Sequence, residues 1–101
     1  MFSTTKHISI STRYAVYARD GRACVLCNDP RVIHLHHFIP RGQGGNDTEF
    51  NLVCVCPTCH RVLHGEYSYT YDFPFDVETD AVLHYLADAY DDFTVSRCFR
   101  F

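Results

Sequence analysis

The sequence predicts a small α+β fold built around a ββα unit that paired cysteines close at both ends. Three observations carry that reading. The chain has 101 residues, near the lower end of what a hydrophobic core supports alone. Two C-x2-C pairs, Cys24/Cys27 and Cys56/Cys59, bracket its middle. Between and after them run a β-forming segment, a glycine-rich loop, a second β-forming segment and a helical one.

Each element has its own warrant. Residues 1–11 alternate weakly around Ile8 and Ile10 and suit a short strand or a loose arm. Thr12 can cap a short helix, TRYAVYARD, which Gly21 ends. The first knuckle, CVLC, follows, with a turn at Asn28-Asp29-Pro30. VIHLHHFI alternates and is rich in β-formers, which predicts a strand over residues 32–39. Pro40 to Asn46, with Gly42, Gly44 and Gly45, is a loop. Asn51, Leu52 and Val53 form a second extended segment. The second knuckle, CPTC, leads into a helix over residues 57–65 that Gly65 stops. The aromatic run EYSYTYDFPFD, with Tyr67, Tyr69, Tyr71, Phe73 and Phe75 on one parity, suits a strap packed on the core. Thr79 then offers an N-cap for a helix over residues 80–92, whose apolar positions from Ala81 to Phe93 follow helical spacing. The chain reads as one domain, 1–101, with a core at 12–65 and an acidic extension at 66–101 packed on it.

Composition narrows the class. Hydrophobic residues make up 47% and aromatics 15%, so the chain can fold. A domain this small often needs a metal or disulfide staple. The spacing of Cys24, Cys27, Cys56 and Cys59 turns thiolates toward one tetrahedral ion and favours a structural Zn²⁺ over the rival, a secreted disulfide scaffold. The start, MFSTTKHISIST, lacks the long apolar run of a signal peptide, and no stretch approaches a membrane span. The expectation is a soluble, cytoplasmic protein made in a reducing compartment. Cys54 reads as a small buried hydrophobe, and Cys98 carries no assignment.

The net charge of −3 hides an asymmetry. Residues 1–65 carry seven basic against four acidic side chains, a balance of +3, whereas residues 66–101 carry two against eight, a balance of −6. The basic half is also the Cys/His-rich half, where a phosphate backbone would sit. The acidic tail reads as a solvated face.

Five polar residues carry the chemistry: His36, His37, Asn51, His60 and His64. His60 and His64, four apart on a helix, project from one face and can share an ion. His36 and His37 are adjacent on a strand and point to opposite sides. Three neutral imidazoles, His36, His60 and His64, leave coordination positions open, as a catalytic metal requires. His37 would then take a proton from an attacking water. Asn51 would bridge backbone groups across the loop and hold His37 on target. Arg41, or Arg61 on the helix, could neutralise a transition-state phosphate. His7, His34 and His84 read as surface or hydrogen-bonded residues, His34 keeping a small chance of a role behind the ligands.

These residues match a family. The run YAVYARDGRACVLC…LHHFIPRGQGGNDTEFNLVCVCPTCHRVLH, about residues 14–64, resembles the HNH endonucleases. Within it, the spacing of His36-His37, Asn51, His60 and His64 is similar to that of the colicin DNases. The resemblance implies a ββα-metal, treble-clef-like module that cuts DNA, with His37 as general base, His36, His60 and His64 as ligands of a catalytic divalent metal, and Asn51 orienting the loop. It implies a structural zinc on the four cysteines. Many phage and bacterial relatives carry Asp-His where this chain has His-His, so a third imidazole shifts preference from Mg²⁺ toward Mn²⁺, Ni²⁺ or Zn²⁺. Stand-alone proteins of this kind serve phage or mobile elements, and some act with a packaging motor, so a protein partner of that sort is an expectation by resemblance. The lack of a long basic helix points to low sequence specificity. Two alternatives stand beside it: a non-catalytic zinc module that binds nucleic acid or protein, and an RNA-cleaving or toxin-like nuclease.

Overall fold

The computed structural model describes residues 8–63 and 76–100. The first element among the described residues is helix α1, Ile10–Asp20. Its N-cap is Ser9, whose hydroxyl accepts the Thr12 N–H at 3.1 Å, and not Thr12 itself. The helix starts two residues earlier than the sequence suggests because Ser9, already extended, satisfies a first-turn donor. Gly21 ends it in the left-handed region at φ 68°, donating its N–H to the Tyr17 carbonyl.

After the first knuckle, strand β1 (His34–His37) pairs antiparallel with strand β2 (Leu52–Val55). The register sets His34 opposite Val55, Leu35 opposite Cys54, His36 opposite Val53 and His37 opposite Leu52. β1 is shorter than residues 32–39 for a definite reason. The Phe38 N–H still reaches the Asn51 carbonyl at 2.8 Å, but the Ile39 N–H is taken by the Asn51 side chain. A side chain thus replaces the ladder just where the loop begins. Asn51 itself ends a 3-10 turn, Glu49–Asn51, and β2 starts one residue later than the sequence suggests.

Alternation along the sheet divides the core in two. On one face Leu52 and Cys54 pack with Val16 of α1, joined by Ile33 and Leu35. On the other, Val53 and Val55 pack with the knuckle cysteines Cys24 and Cys56 and with two more helices. These are α2 (Pro57–Leu63), which contributes Leu63, and α3 (Asp76–Ala89), which contributes Val82 and Leu86. α3 begins before Thr79, so that residue is no N-cap. The aromatic run 67–75, together with His64 and Gly65, lies outside the described residues.

A buried charge network ties these layers together. The Asp20 carboxylate, its side chain fully buried, receives Arg19 at 2.6 and 3.0 Å, the Cys54 N–H at 2.8 Å and the Tyr85 hydroxyl. Arg19 donates onward to the Glu49 carbonyl at 2.8 Å and the Tyr90 hydroxyl at 3.1 Å. Every lone pair that burial would orphan therefore finds a donor, which a buried ion pair needs. Burial and the adjacent Asp20 carboxylate push the Tyr85 phenol up to about 12. Burial, with the same carboxylate, pushes the Cys54 thiol to about 12 as well, so Cys54 is an inert core residue.

The C-terminal segment closes over the loop between the strands. A 3-10 turn, Val95–Cys98, buries Cys98, whose thiol donates to the Phe50 carbonyl at 3.2 Å. Phe99 then makes an antiparallel bridge with Gly45. The architecture is a small α+β fold with a two-stranded sheet and flanking helices.

Candidate active site

The four paired cysteines converge. Cys24 and Cys27 come from the turn after α1, Cys56 and Cys59 from the end of β2 and the start of α2. One sulfur from each lies within 4.8 Å of all the others, and those of Cys27 and Cys56 are 3.5 Å apart. A tetrahedral Zn–S₄ centre with bonds of about 2.3 Å has sulfur–sulfur spacings of roughly 3.8 Å, so the donor set fits zinc. Each knuckle aims a backbone N–H back at its first sulfur, Cys27 at Cys24 and Cys59 at Cys56, both at 3.4 Å. Burial alone would raise the Cys24 thiol, yet the N–H groups of Cys27, Cys56 and Leu26 bring it down to about 7. Burial pushes Cys59 up, as does its contact with the Cys56 thiol. Four thiols this close resist joint ionisation, and a divalent cation removes that cost. The site can hold a metal of zinc's preference.

The histidines divide by strand alternation. His34 and His36, on the α2 side of β1, flank His60: the His36 and His60 rings lie 5.3 Å apart at 81°, and those of His34 and His60 lie 5.3 Å apart at 88°. Imidazoles are the donors a borderline divalent metal accepts, and a strand and a helix hold His36 and His60 side by side. His64, the third residue of this set by sequence, is outside the described residues.

His37 faces the opposite way, and Asp47 meets it. His37 Nε2 donates to Asp47 Oδ1 at 2.7 Å, and Arg41 Nε donates to the same oxygen at 3.0 Å. Burial would raise the Asp47 carboxyl, but the bonds from Arg41 and His37 outweigh it and hold the group below its usual range. An ionised Asp47 fixes the proton of His37 on Nε2 and leaves a lone pair on Nδ1.

Asn51 is wholly buried, and its amide spans the loop. Oδ1 accepts the Ile39 N–H at 2.7 Å, while Nδ2 donates to the Ile39 carbonyl at 3.0 Å and the Asn46 carbonyl at 2.9 Å. Gly45 makes this closure possible, since a Cβ there would sit 1.7 Å from the Ile39 oxygen and 2.9 Å from Asn51 Nδ2.

His36, His37 and His60 line one cleft of about 490 Å³, with Arg41 and Arg13 on its walls. Sequence reasoning missed Asp47, Arg13 and the pairing of His34 with His60. Only for Asp47 was there a usable signal, an acid in a loop ten residues past a candidate base. Arg61, on α2, is exposed.

This arrangement defines an HNH-type ββα-metal module. Residues 24–66 match the model of the HNH endonuclease family. The segment spans both knuckles, the paired histidines, Asn51 and His60. Over 32 residues the chain is 53% identical to the type IV methyl-directed restriction enzyme EcoKMcrA of Escherichia coli. That stretch is 32% of this chain and only 12% of the relative, so the chain spans a small part of the protein it matches. No solved structure matches it. Among the described residues, no helix is long and apolar enough to cross a membrane.

Proposed function

We propose that the protein is a metal-dependent endonuclease that hydrolyses phosphodiester bonds in DNA, with low sequence specificity. One observation carries the reading: His37, oriented by Asp47, shares a cleft with His36, which points from the other face of the same strand, and with His60 of α2. His36 and His60, with His64, would hold a catalytic divalent metal, and Cys24, Cys27, Cys56 and Cys59 would hold a structural zinc. When bound, the catalytic metal would supply Lewis-acid stabilisation to the leaving 3′-oxygen. The chain's own residues do the rest. His37 Nδ1 takes a proton from the water that attacks phosphorus, and the P–O3′ bond breaks. Asp47 stabilises the imidazolium that forms, as an orienting carboxylate does for a general-base histidine. Asn51 holds the loop that carries Arg41 and Asp47, while Arg41 anchors Asp47 and adds positive potential to the cleft. The restriction-enzyme relative supports DNA as the substrate.

The test is plasmid nicking by zinc-replete protein with Mg²⁺, Mn²⁺ or Ni²⁺, wild type beside His37→Ala, with RNA as competitor. Metal-dependent nicking that His37→Ala abolishes while retaining its fold and zinc is the expected result. Absence of cleavage by wild type with every metal overturns it.

A further inference from the structure

We propose that His34 is a positioning residue of the catalytic metal site, fixing the tautomer and orientation of His60. The proposal rests on the reading of His36 and His60 as metal ligands and adds a residue that the family-derived set does not contain.

The geometry is specific. His34 Nδ1 lies 3.2 Å from His60 Nδ1, with the rings nearly perpendicular at 88°. Two like nitrogens at that distance form a hydrogen bond only if one carries a proton and the other a lone pair. Two tautomer pairs satisfy this, and they differ at the far nitrogen of His60. If His60 accepts, its Nε2 carries the remaining proton and cannot ligate. If His60 donates, its Nε2 presents a lone pair, the form a metal needs. Metal binding therefore selects His60 Nδ1–H donating to His34 Nδ1. Residues two apart on a strand share a face, so β1 places His34 and His36 on either side of His60. His36 offers a donor and His34 fixes the ring, the division of labour expected between a ligand and the residue behind it.

His34 is exposed, so its bond to His60 adds little to folding, and its substitution leaves the core intact. That separates a positioning role from a structural one. The experiment titrates zinc-replete protein with Co²⁺ and Ni²⁺ by calorimetry and records the Cu²⁺ electron paramagnetic resonance spectrum of wild type, His34→Ala and His34→Asn. In His34→Ala the affinity for the added metal falls about ten- to a hundred-fold, the range for loss of an orienting partner. The amide oxygen of His34→Asn sits near the lost Nδ1, accepts the same proton and restores most of the affinity. The number of coupled nitrogens in the Cu²⁺ spectrum is the same in all three. Unchanged affinity in His34→Ala overturns the proposal. Loss of one coupled nitrogen also overturns it, because His34 would then be a ligand. If wild type takes up none of the added metals, the reading of His36 and His60 fails first and this proposal falls with it.

Discussion

Asn51→Ala should be the most damaging single substitution in the loop, and its cost can be worked from the geometry. The amide makes three hydrogen bonds in a site with no solvent exposure. Removing it leaves the Ile39 N–H without a partner, and the carbonyls of Ile39 and Asn46 each lose a donor. An orphaned buried group costs about 1–3 kcal/mol, and carbonyls tolerate the loss better than an N–H. The sum is about 3–5 kcal/mol, which rivals the whole stability of a domain this size. Urea unfolding of the zinc-replete protein measures it.

Asn51→Asp sharpens the test. Its Oδ1 still accepts from Ile39, but the second carboxylate oxygen would face two carbonyl oxygens at about the distances Nδ2 now holds, 3.0 and 2.9 Å. The fold favours the protonated acid, so the folded carboxyl titrates above the unfolded value of about 3.9. Its stability is fully present below the unfolded pKa and is lost as pH rises through the folded one. Asn51→Asp should therefore approach wild-type stability in acid and fall behind it near neutrality. A cost below about 1 kcal/mol for Asn51→Ala, or a pH-independent deficit for Asn51→Asp, would refute the reasoning.

Three further outcomes follow from the same contacts. Asp47→Asn keeps the size of the group that His37 meets but removes its charge, so nicking should fall about a hundred-fold or more while the unfolding midpoint barely moves; equal loss of both would make Asp47 a structural residue. Stripping the metal from Cys24, Cys27, Cys56 and Cys59 with a strong chelator should unfold the protein, since structural zinc contributes on the order of 10 kcal/mol, and circular dichroism with and without added Zn²⁺ reads this directly. The Tyr85 phenol, pushed up to about 12 by burial beside Asp20, favours the protonated form, so its contribution to stability is present below the usual phenol range and lost as pH rises through about 12; the tyrosinate absorbance titration of wild type minus Tyr85→Phe should show that late step.

How much of this was legible in the sequence depended on the range of the signal. Local patterns carried well. The knuckle spacing brought four sulfurs together, the parity of His36 and His37 put them on opposite faces, and Gly21 ended α1. Signals that depend on a distant partner did not. Nothing in the run NDTEF says that Asp47 will reach back to His37, because loop closure sets that contact and periodicity does not. His34 looked ordinary because its partner lies 26 positions away. The burial of the Arg19–Asp20 pair had no local signal either, because tertiary packing against α3 sets it. Boundaries failed where side chains replaced backbone partners, as at Ser9 and at Asn51.

The acidic extension, which the sequence reads as a solvated face packed on the core, makes specific contacts with the loop of the candidate site. Cys98 and Arg100 reach the loop through their backbones: the Asn46 N–H donates to the Cys98 carbonyl at 2.8 Å and the Arg100 N–H to the Gly44 carbonyl at 2.7 Å. Asn46 Nδ2 adds a bond to the Arg97 carbonyl at 2.7 Å, and Arg100 reaches the Arg41 carbonyl at 3.2 Å. The loop that carries Arg41 and Asp47 is therefore fastened twice, from within by Asn51 and from outside by residues 97–100. Glycine-rich loops close at an entropic cost that falls on whichever groups they hold in place. Here that cost is met by hydrogen bonds at both ends of the loop's span, and one of the two fasteners lies beyond residues 24–66. The geometry of His37 and Asp47 thus depends on residues 97–100 as well as on the matched segment.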